Sequence, residues 1–96
     1  MNTGNELDRF DWDAEKRRSN AQKHGIDFID AARCLKEGPR LDLESNRGGE
    51  FRTLAICPMN AKLIAVVFTM RGEICRIISA RAARDDEQRK YRQLYD

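Results

Sequence analysis

The chain is poor in the residues from which dedicated sites are built. Among 96 residues it has one histidine, one tryptophan, two prolines and three cysteines. Cys34, Cys57 and Cys75 are odd in number and show no C-x-x-C spacing, which argues against a disulfide framework and against a zinc site. They read as small buried apolar residues. With His24 as the only imidazole, no transition-metal site and no cofactor is expected. No apolar run approaches the roughly 18 residues of a membrane span, and MNTGNELDRF lacks the apolar stretch of a signal peptide. A cytoplasmic protein without membrane contact is expected.

What is present describes a small globular domain with a polar surface. Of the residues, 41% are hydrophobic and 35% charged, with no repeat and no low-complexity tract. Residues 1–96 are read as one domain, with 1–8 as a flexible leader. Net charge is only +2, yet it is unevenly spread. Residues 1–46 sum to −2, residues 47–84 to +5 and residues 85–96 to −1. The excess therefore falls on strand-like sequence, where side chains point in defined directions and a local positive surface can form.

FDWD at 10–13 reads as a short strand followed by an N-cap, Asp13. AEKRRSNAQKH is then a helix ending at Gly25, with a thin apolar face of Ala14 and Ala21 that leans His24 toward the sheet. Asp27 caps FIDAARCLKE, whose Phe28, Ala31, Ala32 and Leu35 form an inward stripe. Residues 41–43 pair briefly. Strands follow at 50–57, 63–70 and 74–82, separated by turns at PMNAK and RGE, so sequential antiparallel pairing is the simplest topology. Because LIAVVFTM is apolar on both faces, both must be covered, one by the helices and the other by the C-terminal segment or a partner. DDEQRKYRQLY reads as the last helix. The order β-α-α-β-β-β-β-α defines an α+β fold.

RIISARAAR at 76–84 places Arg76, Arg81 and Arg84 on one stretch in which no acid appears to neutralise them, with Arg52 and Arg71 on or beside neighbouring strands. Guanidinium groups suit phosphate because they stay charged and offer a planar donor fork. A lone strand arginine is better explained as a solvated edge charge; three together favour a phosphodiester ligand. Arg76 and Arg81 differ by an odd number, so a bulge or bend near Ser79 is needed to bring them to one face. His24 has a bland explanation in the helix dipole, but it is also the candidate proton shuttle. Glu50, beside Gly48-Gly49, is the second candidate, with pairing to Arg47 or Arg52 as its bland alternative.

FDWDAEKRRSNAQKHGIDFIDAA, RGGEFR and VVFTMRGEICRIISARAARDDEQRKY together resemble the BrnT family of toxin ribonucleases from bacterial type II toxin–antitoxin systems. The resemblance implies a RelE-like fold: a small antiparallel sheet with two N-terminal helices and one C-terminal helix. It also implies RNA cleavage that halts translation, and a hetero-oligomer with a small DNA-binding antitoxin of the BrnA kind. Carried over by position, Lys23 and His24 are the helix-ending pair, Glu50 and Arg52 the Gly-Glu-x-Arg strand start, and Arg71, Arg76 and Arg81 the later-strand cations. The site so implied is catalytic at His24, Glu50, Arg76 and Arg81 and binds RNA through Lys23, Arg52, Arg71 and Arg84. Arg84 stands where relatives usually place a capping Ser or Thr, so Asp85 is expected to cap the last helix instead. A non-catalytic nucleic-acid-binding or partner-binding module of the same fold is the alternative.

Overall fold

The structure, a computed structural model, describes residues 7–45 and 51–95. Its elements are β1 (Phe10–Trp12), α1 (Ala14–His24), α2 (Phe28–Glu37), β2 (Leu41–Ser45), β3 (Arg52–Met59), β4 (Lys62–Arg71), β5 (Ile74–Ala82) and α3 (Asp85–Tyr95). The order is the expected one. Residues 1–6 of the leader lie outside the described residues, while Leu7 packs into the core. No helix among the described residues is long and apolar enough to cross a membrane.

Local chemistry explains the punctuation. Asp13 caps α1 by accepting the N–H groups of Glu15 and Lys16 at 2.8 and 3.1 Å, and Gly25 ends it at φ 71°. Asp27 caps α2 and also accepts from Nε and Nη2 of Arg17 at 2.8 and 3.0 Å, while that guanidinium lies 5.9 Å from the Trp12 ring centre. One arginine thus links β1, α1 and α2. The β3–β4 turn has Asn60 and Ala61 both at positive φ, as a two-residue I′ hairpin requires, and Gly72 supplies the positive φ of the β4–β5 turn.

β2 through β5 pair antiparallel in sequence order, but β1 joins β5 in parallel, giving a mixed sheet ordered β1-β5-β4-β3-β2. Hairpin reasoning sees only neighbours in sequence. A parallel pair needs a long crossover, and here every element from α1 to β4 serves as one. On one face of the sheet α2 buries Phe28, Ala31 and Leu35 against Ala55, Cys57, Ile64, Val66 and Phe68. On the other, Tyr91 of α3 packs with Ile56 and Ala83, flanked by Leu41, Leu43, Leu54 and Leu63. On this second face the C-terminal helix covers β3 and the Leu63 end of β4, while Val67 farther along β4 stays half-buried. Tyr91 and Tyr95 fix that helix by donating to the carbonyls of Pro39 and Arg40 at 3.3 and 2.7 Å.

α1 docks differently from the apolar contact expected of it. Ala14 and Ala21 are exposed, and its one buried residue is Asn20. β1 accompanies β5 only as far as the Trp12–Ile77 pair. Just beyond, Asn20 Oδ1 accepts the Ala80 N–H at 3.1 Å, and Nδ2 donates to the carbonyls of Ala80 and Ile26 at 2.9 and 3.1 Å. The side-chain amide continues the ladder where the strand has stopped, so hydrogen bonding rather than burial seats α1 against the sheet.

Asn20→Ala leaves three buried backbone groups without partners and is expected to lower unfolding free energy in urea by about 2 to 3 kcal/mol. Asn20→Asp, which keeps the acceptor and loses the donors, should also destabilise. A change in Asn20→Ala below about 0.5 kcal/mol, the scale of an ordinary surface substitution, would contradict this role.

Candidate functional site

The β4–β5 register slips between Val67 and Phe68: Val67 faces Ser79 and Phe68 faces Ile77, so Ile78 is an extra residue. Before the slip Cys75 and Ile77 point into the α2-side core; after it Ala80 does. Arg76 and Arg81, five positions apart, therefore share the opposite face. This is the irregularity that their odd spacing required.

On that face lies a hollow of about 330 Å³ to which three elements contribute cations: Arg52 from the start of β3, Arg81 from β5 and Arg84 from the turn into α3. Ser45, Ser79 and Glu87 add polar groups, and Leu54, Val67 and Ile78 form the apolar floor. Glu87 organises one side of it. Its carboxylate takes Nη1 and Nη2 of Arg81, both at 2.9 Å, and Oε1 also accepts the backbone N–H of Arg84 at 2.8 Å. The carboxylate of the third helical residue thus reaches back to the N-cap position, half of a capping box. Asp85 is the first residue of α3, and the cap position belongs to Arg84, whose carbonyl accepts from Gln88 N at 2.8 Å.

The pairing constrains Arg81 without exhausting it. Nη1 gives its protons to Glu87 and to the Ala82 carbonyl at 3.1 Å, and Nη2 gives one to Glu87. Of the five guanidinium donors, the Nε–H and the second Nη2–H have no partner among the described residues; they lie along the side-on edge that matches two oxygens of a phosphate. The Arg81 side chain is 21% exposed. Its pairing with Glu87 raises its pKa and holds the Glu87 carboxyl below its ordinary value.

Arg76 is paired as well, with Asp11 of β1 at 3.2 Å, in register across the parallel pair. The acids that answer Arg76 and Arg81 sit at 11 and 87, outside the stretch that looked unneutralised. Asp11 was out of reach because its pairing is a long-range tertiary contact. Glu87 carried one readable signal, its place three residues after the cap position.

Lys23 and His24 occupy the last turn of α1 and line a second hollow, about 460 Å³, between α1 and β5. Both hollows include Ile78 and Ser79, so they meet at the bulge. The structure thus gathers Arg52, Arg81 and Arg84 in one hollow and Lys23 and His24 in the next. Arg76 shares the face without lining either, and Arg71 lies exposed at the end of β4. Glu50 lies outside the described residues. No group of three or more His, Cys, Asp or Glu among the described residues is placed to hold a metal ion.

A family model described as "Ribonuclease toxin, BrnT, of type II toxin-antitoxin system" matches residues 12–87, a stretch that contains every candidate above. No curated protein sequence matches the chain.

Because the folded state lowers the Glu87 pKa, the clamp stabilises the fold above the ordinary glutamate value of 4.5, and this contribution is lost as pH falls through the lower folded value. Glu87→Ala is expected to cost about 2 kcal/mol at neutral pH, within the range for hydrogen bonds to a charged group, because Arg81 is only partly withdrawn from water. The gap between it and the parent should narrow as urea titrations are repeated toward pH 3. A gap independent of pH would contradict the clamp.

Proposed function

The chain belongs to the BrnT family of ribonuclease toxins of type II toxin–antitoxin systems, and we propose that it is a metal-independent endoribonuclease that cleaves RNA at the Arg52–Arg81–Arg84 hollow and so inhibits translation. A toxin of this class has a protein antitoxin as its partner; here that partner is proposed to be a small DNA-binding protein of the BrnA kind, acting with the toxin in the cytoplasm. The observation that carries the reading is the bulge, which sets an arginine cluster directly beside the groove holding Lys23 and the one imidazole.

In the proposed reaction the ribose 2′-hydroxyl attacks the adjacent phosphorus, the bond to the 5′-oxygen breaks, and a 2′,3′-cyclic phosphate and a free 5′-hydroxyl result. One proton must leave the 2′-oxygen and one must reach the 5′-oxygen. His24 is assigned to one of these transfers and Glu50 is the candidate for the other. The side-on edge of Arg81 stabilises the charge that develops on the phosphoryl oxygens, at a site whose donors are already fixed before substrate arrives. Arg52 and Arg84 bind the backbone on either side. Lys23 holds the strand along α1, and Arg71 and Arg76 extend the positive face for RNA beyond the scissile bond. Among the aromatic side chains, Phe51, Tyr95 and the partly buried Phe10 and Trp12 lie outside the hollow, so phosphate contacts should outweigh base stacking.

Purified protein is expected to cut single-stranded RNA in excess chelator and to leave cyclic phosphate ends. His24→Ala and Arg84→Ala, neither of which sits in the core, should fold normally; loss of an essential charge-stabilising donor or proton-transfer group is expected to slow cleavage about a hundredfold or more. Cleavage that requires added Mg²⁺, or full activity in both variants, would overturn the assignment.

A further inference from the structure

The reaction proposed above needs the scissile phosphate against Arg81 while the 2′- or the 5′-oxygen is within reach of His24. Arg81 lines one hollow and His24 the other. Among the described residues only Ile78 and Ser79 line both, so a phosphate that serves the two groups at once must lie over them. Ile78 has no polar side-chain atom. The hydroxyl of Ser79 is what the seam between the hollows offers a substrate.

The bulge is what turns it there. Ile77 and Ala80 belong to the core beneath α2. In a regular strand a single residue would separate two inward ones; here Ile78 and Ser79 both stand between them and take the face of Arg76 and Arg81. The backbone beside Ser79 is held firmly, because the Ala80 N–H and carbonyl are both bonded to the Asn20 amide, at 3.1 and 2.9 Å. Ser79 is half-buried, and its hydroxyl makes no hydrogen bond among the described residues, unlike that of Thr69 on β4, which donates to the Phe51 carbonyl at 2.9 Å.

We propose that Ser79 is a catalytic residue of the ribonuclease site, its hydroxyl donating to a non-bridging oxygen of the scissile phosphate beside the side-on edge of Arg81. This rests on the ribonuclease reading and adds to it a neutral donor between the guanidinium cluster and the imidazole. The hydroxyl proton rotates to suit its acceptor, so the donor follows the phosphoryl oxygen as the phosphorus changes geometry. Negative charge on that oxygen grows as the 2′-oxygen attacks, which strengthens the bond in the transition state. The contribution of Ser79 therefore falls on rate more than on affinity.

The test compares Ser79→Thr, Ser79→Val and Ser79→Ala with the parent chain in single-turnover cleavage of single-stranded RNA at saturating protein. Affinity is measured in parallel on a 2′-O-methyl strand, which lacks the attacking hydroxyl, and stability by urea titration. Threonine and valine are both β-branched, close in shape and suited to a strand, so the hydroxyl is what separates them; alanine removes it without adding bulk. The threonine variant is expected to cleave near the parental rate and the valine and alanine variants about tenfold slower or more, with smaller differences in affinity and parental urea midpoints throughout. Equal rates for threonine and valine, or a parental rate for alanine, would overturn the proposal and leave the ribonuclease reading standing. Absence of cleavage by the parent chain would overturn both.

Discussion

One additional residue in β5 decides where the charges of this protein meet. Without Ile78, alternation along the strand would send Arg76 and Arg81 to opposite faces, one of them into the core beneath α2. Burying an unpaired guanidinium there would cost several kcal/mol. The bulge keeps the aliphatic residues Ile77 and Ala80 inward on either side of the slip and both arginines outward. It also falls where β1 has ended, so the local edge of β5 is left for Asn20 to satisfy at Ala80. The arginine face and the docking of α1 are thus two consequences of one irregularity.

Charge on that face is arranged rather than merely accumulated. Arg81 and Arg76 each face a carboxylate, which keeps a crowded basic surface compatible with a small fold. In Arg81 the partner takes the end-on edge of the guanidinium and leaves the side-on edge with two donors. The same carboxylate starts α3 by accepting the Arg84 N–H, so the helix that packs on the second sheet face and the hollow's central cation are held by one side chain. Such a site has little to reorganise when an anion arrives, the condition under which fixed donors are most effective.

Much of this was legible from local signals. The caps at Asp13 and Asp27, the stop at Gly25, the stripe of α2 and the hairpin turns follow from rules that act within a few residues, and they placed the elements closely. The odd spacing of Arg76 and Arg81 also showed that a bend was needed near Ser79. What escaped is non-local. β1 pairs with β5 across most of the chain, Asp11 reaches Arg76 through that pairing, and the Arg81–Glu87 contact crosses from strand to helix. The thin apolar face of α1 was misleading because that helix docks by an amide that mimics a strand, which no hydrophobic period reveals. Membership of the BrnT family rests on the matched sequence, while the roles proposed for individual residues rest on where the bulge puts them.

The most direct test is single-turnover RNA cleavage by the double variant Arg81→Met, Glu87→Gln. Removing both charges of the pair strands neither, and the side-chain carbonyl of the new glutamine can still accept the Arg84 N–H that starts α3, so an effect on rate then reports the lost guanidinium edge rather than unfolding. Cleavage about a hundredfold slower or worse, in a protein with parental urea stability, is expected if that edge holds the phosphate. Parental cleavage by the same stable protein would show that Arg81 serves only to anchor α3.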